Sequence, residues 1–362
     1  LMVDYSCAMK LSAPIAVLSA MKEAADNGIT VKGGKFLETA AEADTVIFDK
    51  TGTLTYANPV LEEIYPMDGF ESDFVLQTAA CLEEHFPHPL GRAVVKAAED
   101  RGLRHPENHS LVQYRVAHGI ASTISGKKVC IGSAHFIFED ERIPEPEKAA
   151  EIQKSSIESG KSLLYLSYDG KLAGILAVGD PIRPEAPEIV RLLKSTGVKR
   201  CVMITGDTEG AARKIAESAG LDGWHSQALP EDKVSMVEKE RSGGRKVIML
   251  GDGINDAPAL SAADVGVAVE GCSSIAGDTA DIVLTEGGLE NVAVARMIGQ
   301  GLLRRINTNN IRIIGINSAL LLLGVAGLIP PQLAAVLHNS ATVAISVSAM
   351  RPVLGGKAGG AR

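Results

Sequence analysis

Cysteine is sparse and unpatterned: the 362 residues hold five, and none forms a CxxC pair. That excludes a disulfide framework and a zinc knuckle, which need closely spaced cysteines. Basic charge is also short. Lys and Arg number 36 against 44 Asp and Glu, a net charge of -8 with no basic stripe to offset it, so no nucleic-acid partner is expected. A signal peptide is missing from the opening residues, since Leu1 is no initiator and Asp4 and Lys10 interrupt the apolar run. The chain therefore reads as a piece of a longer protein, with room for two or three domains.

What is present centres on Asp49-Lys50-Thr51-Gly52-Thr53-Leu54-Thr55. The run before it, Thr45-Val46-Ile47-Phe48, has the apolar, β-rich character of a buried parallel strand. A carboxylate just after such a strand lies at the carboxyl edge of the sheet, where open α/β folds place their chemistry. There an Asp can act as a nucleophile and form an acyl phosphate. An isolated Asp would more often cap a turn, but here a whole heptapeptide surrounds it. A second apolar run, Val247-Ile248-Met249-Leu250, leads into Gly251-Asp252-Gly253-Ile254-Asn255-Asp256, whose carboxylates suit a hard cation such as magnesium. A third, Cys201-Val202-Met203-Ile204, leads into Thr205-Gly206-Asp207, and Pro230-Glu231-Asp232-Lys233 supplies a lysine at the head of a helical pattern.

The heptapeptide resembles the phosphorylation signature of P-type ATPases, and the later runs resemble the haloacid-dehalogenase phosphotransfer fold as those pumps use it. The resemblance implies Asp49, Thr205 and Lys233 as catalytic residues. It implies magnesium held by Asp49, the Thr51 carbonyl and Asp252, with Lys50, Gly253, Asn255 and Asp256 supporting the loop. Thr51 stands where a phosphatase of this fold uses an Asp as general acid/base. That separates an ATP-driven pump from the alternative, a soluble phosphatase. A regulatory ATP-binding subunit without turnover would be expected to lack Asp49 or Asp252.

Residues 56–178 separate two parts of the phosphorylation domain, 25–55 and 179–300, as an inserted nucleotide-binding domain would. Helices are expected over 74–81 and 90–99, strands over 109–121 and 127–131, and a hairpin around Asp169-Gly170. His88-Pro89-Leu90, with Glu83 five residues earlier, resembles the adenine pocket of heavy-metal ATPases. ATP is then the expected nucleotide, with Glu83, His88, Gly119, Gly132, Gly206 and Asp207 as its contacts. Ala121 and Ser133 depart from that family's Gly-x-Gly and Gly-Asn.

The ends of the chain are apolar. The mostly apolar run from Tyr5 to Met21 is long enough for most of a membrane span of roughly 20 residues, which makes 1–24 a transmembrane helix, and 301–352 read as a membrane hairpin turned at Pro330-Pro331, followed by a polar tail, 353–362. Arg296, Arg304, Arg305 and Arg312 place the catalytic domains in the cytoplasm by the positive-inside rule. Tyr5-Ser6-Cys7 aligns with the Cys-Pro-Cys of heavy-metal pumps, and His338-Asn339-Ser340-Ala341-Thr342 partly matches the His-Glu-Gly-x-Thr of one class. Cys7 and His338 are thus candidate ligands of a transported transition-metal ion, with Ser6, Tyr5 and Lys10 beside them. Zinc, cobalt or copper fits these donors, and the oxygens of Tyr5 and Ser6 leave manganese and iron open. The fold class expected is a haloacid-dehalogenase-like α/β phosphorylation domain with an inserted α+β nucleotide-binding domain, flanked by transmembrane helices. Membrane lipid and the remainder of the pump, including the actuator domain whose Thr-Gly-Glu is absent here, are the expected partners of a multi-pass protein in a bacterial plasma membrane.

Overall fold

The computed structural model describes residues 5–84, 88–103, 113–115, 119–229 and 231–354, without the side chains of 5–7, 113–115 and 254. The chain opens with helix α1 (Tyr5–Asp26), strand β1 (Ile29–Val31), helix α2 (Gly34–Glu42) and strand β2 (Thr45–Asp49). All five residues of β2 are buried, as a β-branched and aromatic run in the middle of a parallel sheet must be.

The chain then leaves this sheet to build a second one. Strand β3 (Val60–Pro66) precedes helices α3 (Ser72–Glu83) and α4 (Pro89–Asp100), strands β4 (Gln113–Arg115), β5 (Gly119–Ile124) and β6 (Lys127–Gly132), helix α5 (Glu147–Glu158), and strands β7 (Ser162–Tyr168) and β8 (Lys171–Gly179). The strands form an antiparallel sheet in the order β3-β8-β7-β6-β5-β4. Helices α3 and α4 cover one face through Val75, Leu76, Ala93 and Val94. Phe136, Ile137 and α5 cover the other. Both tight hairpins use left-handed residues, Ser125-Gly126 and Asp169-Gly170, which match the strand twist.

The expectation of one strand over 109–121 is corrected. Its described part is two strands: β4 pairs antiparallel with β5, Gln113 opposite Ala121. Period-two patterning cannot separate one long strand from two that fold back on each other, and residues 109–112 and 116–118 lie outside the described set.

Helix α6 (Ala186–Ser195) returns the chain to the first sheet. Strand β9 (Arg200–Ile204), helix α7 (Glu209–Ala219), strand β10 (Gly223–His225), helix α8 (Asp232–Arg241), strand β11 (Val247–Gly251), helix α9 (Ala257–Ala262), strand β12 (Val265–Ala268), helix α10 (Ser274–Thr279) and strand β13 (Ile282–Leu284) complete it. The sheet order is β1-β13-β12-β11-β2-β9-β10, parallel except for β1 against β13. Asp49 lies opposite Ile204, and Phe48 opposite Leu250. Register alone therefore brings Asp49, Thr205 and Asp252 to one edge.

Two long helices end the chain, α11 (Asn291–Val325) and α12 (Pro331–Ala349). α11 runs unbroken past residue 300, where the sequence reading divides domain from membrane segment. Among the described residues it is also the one helix long and apolar enough to cross a membrane. Polar residues account for the difference from the three spans expected: Gln332, His338, Asn339 and Ser340 dilute α12, and Lys10, Lys22 and Glu23 dilute α1. One face of α1 packs on α11 and α12. Ala8, Ser12, Ala16, Ala20 and Ala24, four residues apart, are all buried there, and Ala8 meets Ile313 and Ile345.

Candidate active site

Asp49 closes β2 with 5% of its surface exposed. The next turn needs Gly52, whose φ is +75° and whose hypothetical Cβ would stand 1.7 Å from Asp252 Oδ2. Any side chain there would push Asp252 out of the site. Lys233, the second residue of α8, donates to Asp49 Oδ1 at 2.5 Å and to Asp256 Oδ1 at 2.6 Å. Oxygens of Asp49, Asp252 and Asp256 lie within 4.8 Å of one another, and Asp256 Oδ2 also accepts from Gly253 N at 3.1 Å. Three carboxylates thus face one lysine.

Their protonation follows from that imbalance. Burial, then Asp256, push the Asp49 carboxyl up to about 6, while Lys233 and its hydrogen bond pull it down. Asp252 is raised by burial and then by Asp256. Burial alone would lower the Lys233 ammonium, but Asp49 and Asp256 hold it above its ordinary value. Such a donor set, all oxygen and short of positive charge, fits magnesium. Thr51 is exposed beside it with extended backbone.

Thr205 is buried one residue beyond β9, and its Oγ1 accepts from Asp207 N at 3.1 Å. Asp207 pairs with Lys50 at 2.8 Å, so the turns after β2 and β9 are joined. Gly206 and Asn255 are exposed. Pro230 lies outside the described residues.

Two further features complete this site. Thr53 Oγ1 is buried with no partner among the described residues. Asp180 and Arg183, at the start of the second part of the phosphorylation domain (179–300) and not singled out from the sequence, clamp the loop. Thr55 Oγ1 donates to Asp180 at 2.6 Å, and Arg183 donates to the carbonyls of Thr55 at 3.1 Å and Gly52 at 3.3 Å. A contact across more than 120 residues leaves no local pattern to read.

A separate cavity of about 270 Å³ opens on the second sheet, lined in part by Glu83, His88, Gly119, Ile120, Gly132 and Ser133. Glu83 is 2% exposed and lies 2.7 Å from His88 Nε2. Burial lifts its carboxyl above the ordinary range, with His88 pulling the other way. His88 also caps α4, its Nδ1 accepting from Gly91 N at 3.3 Å. Gly91 is required, since a Cβ there would stand 2.4 Å from Glu83 Oε2. Ala121 packs against the Phe136 side of the sheet, away from this cavity, and Ser133 Oγ accepts from Phe136 N at 3.2 Å.

Between the long helices, His338 is buried with Nδ1 2.9 Å from Asn317 Oδ1. Asn317 was not singled out from the sequence, being one Asn in an apolar run. Its Nδ2 is buried without a partner among the described residues. Lys10 is exposed, two residues past buried Ala8 and so on the opposite side of α1, and the structure does not bring it to His338. The side chains of Tyr5, Ser6 and Cys7 lie outside the described set.

Comparison with known proteins places this geometry. The description that matches residues 43–264 is that of a haloacid dehalogenase-like hydrolase. The chain belongs to that family. Over 353 residues it is 38% identical to a zinc-exporting P-type ATPase of Mycobacterium marinum, covering 97% of this chain and 48% of that protein. It is 36% identical to a manganese-exporting P-type ATPase of Mycobacterium bovis, covering 97% and 49%. Among solved structures, a zinc-transporting PIB-type ATPase in its E2.Pi state superposes with a TM-score of 0.87 at 32% identity, covering 96% of this chain and 56% of that one. This haloacid dehalogenase-like hydrolase thus spans about half the length of the heavy-metal P-type ATPases it matches, and those relatives are membrane proteins.

Proposed function

We propose that the chain is the catalytic and carboxy-terminal membrane part of an ATP-driven transition-metal exporter that works through an aspartyl phosphate. The observation that carries this reading is Asp49, buried at the sheet edge, held by Lys233, and facing Asp252 and Asp256. ATP would dock with its base in the Glu83–His88 cavity, bounded by Gly119 and Gly132, and its phosphates toward Gly206 and Asp207. An Asp49 oxygen attacks the γ-phosphorus, the bond to the bridging oxygen breaks, and ADP leaves. Lys233 and Thr205 meet the charge spread over the phosphoryl oxygens, the main source of rate in such transfers. Asp49, the Thr51 carbonyl and Asp252 would hold magnesium, which supplies further charge neutralisation there. Lys50, Gly253, Asn255 and Asp256 keep the loops in place.

With Thr51 two residues after the nucleophile, the position from which a phosphatase of this fold activates water against the acyl phosphate carries no carboxyl. That favours a long-lived phosphoenzyme over the phosphatase alternative. Phosphoenzyme hydrolysis then falls to the remainder of the pump. The transported ion is assigned to His338 with Cys7, and Tyr5, Ser6 and Lys10 lie within one turn of Cys7. Zinc and manganese are favoured by the named relatives. We place the protein in the membrane with several spans, the catalytic domains on the side marked by Arg304, Arg305 and Arg312.

The test is labelling by γ-labelled ATP in the complete pump. Wild type should give an acid-stable, hydroxylamine-sensitive label, and Asp49→Asn should give none. Labelling that persists in the variant sinks the assignment.

A further inference from the structure

Arg296 is 1% exposed and heads the largest fully buried side chains of the described residues. Among the described residues its guanidinium makes hydrogen bonds only to uncharged oxygens. Nη1 donates to the carbonyls of Ala40 and Ala43, Nε to Thr196 Oγ1 at 3.0 Å, and Nη2 to the Thr196 carbonyl at 3.3 Å. Ala43 is the C-cap of α2 and Thr196 the C-cap of α6. One buried cation therefore closes the negative ends of two helix dipoles at once. Gln300, one turn later on α11, donates to the same Thr196 carbonyl at 2.6 Å.

The place of these contacts in the topology gives them meaning. Two residues past Ala43 the chain enters β2, which ends at Asp49, and four residues past Thr196 it enters β9, which is followed by Thr205. These strands are neighbours. Arg296 thus grips, from below, the entries of the two strands whose exits carry the candidate nucleophile and its hydroxyl partner. At Gly299 α11 lies so close to α2 that an added Cβ would stand 2.2 Å from the Leu37 carbonyl, so the two helices pack backbone to backbone there. From there α11 continues without a proline to Asn317, the partner of His338. At 1.5 Å per residue, Arg296 and Asn317 are about 30 Å apart along one rod.

We propose that Arg296 is a positioning residue that couples the phosphorylation site to the metal site, by locking α11 to the entries of β2 and β9. This rests on the exporter reading above. Coupling needs an element that both sites bias, and α11 reaches both only through a rigid joint at its catalytic end. The planar fork of Arg spans two helix ends together, while the single ammonium of Lys reaches one at a time.

The experiment uses the complete pump in detergent or vesicles, with zinc and manganese(II) as probes. Two quantities are read: the ratio of ATPase rate with and without metal, and labelling of Asp49 by inorganic phosphate in metal-free buffer. Arg296→Lys and Arg296→Gln should lose about tenfold of the metal stimulation, while labelling by inorganic phosphate stays within about twofold of wild type. Thr196→Val deletes one acceptor without removing charge and should lose a smaller part, about two- to fivefold. Full stimulation in all three variants overturns the proposal. So does parallel loss of both readouts, since Arg296 would then only hold the domain together. If wild type itself takes no label, the exporter reading fails, which is a separate result.

Discussion

At the scale of the residue, Asp49 carries the sharpest consequence. Its carboxyl sits at about 6, against 3.8 for an ordinary Asp, mainly because it is buried and then because Asp256 repels it. The folded protein therefore holds this proton more tightly than the unfolded chain, and ionising Asp49 costs stability. That cost is absent well below pH 3.8, grows as pH rises between 3.8 and about 6, and is complete above about pH 6. In magnesium-free buffer, Asp49→Asn should raise stability at pH 8 by on the order of 1–3 kcal/mol and raise it by roughly half as much at pH 5. Lys233 keeps Asp256 as a partner in the variant. Thermal unfolding at the two pH values decides it, and an equal effect at both would show that burial of this charge is not the cause. Asp49, Lys233 and Asp252 could be found from the sequence because each follows a short apolar run or heads a helix. Asp180, Arg183 and Asn317 could not, because their partners are remote in the chain.

At the scale of the element, the parallel strands were readable because β2, β9 and β11 are four- to five-residue apolar runs with no polar face to hide. The split of β4 from β5 was not, since antiparallel neighbours share one alternation. The fastening of the carboxy-terminal segment was equally hidden. Glu23 on α1 is 6% exposed and accepts from the backbone N–H of Val353 at 2.5 Å and Leu354 at 2.8 Å. Ser19 Oγ donates to the carbonyls of Met350 at 2.9 Å and Arg351 at 3.2 Å, and Arg305 to Arg351 and Pro352. Together they tie the end of α12 to α1 and α11 at one level. Glu23→Ala strands two N–H groups, so local opening of 350–354 should become easier by about 1–3 kcal/mol. Amide exchange would report this as lost protection at Val353 and Leu354 with little change in β2 or β11. Unchanged protection there would mean the segment is held by packing of Val353 on α11 instead.

At the scale of the whole molecule, the two candidate sites sit at opposite ends of one connected path, and different variants should break it at different points. His88 lines the cavity on the second sheet and touches neither Asp49 nor Lys233. His88→Gln should therefore slow labelling from ATP by about ten- to a hundredfold while leaving labelling from inorganic phosphate intact. His338 should break the path at its other end. Its Nδ1 faces the Asn317 amide oxygen, which favours the proton on Nδ1 and leaves Nε2 as the free lone pair, the arrangement second-shell partners impose on ligating histidines. A buried imidazole in an apolar helix pair is otherwise costly. Labelling of Asp49 from inorganic phosphate needs no metal at the membrane site and should survive His338→Ala, whereas zinc- or manganese-stimulated ATPase should disappear. Asn317→Ala, which frees the ring without removing it, should weaken metal dependence by about ten- to a hundredfold rather than abolish it. Full metal stimulation in His338→Ala would remove this histidine from the ion path and leave Cys7 and its neighbours to carry the selection.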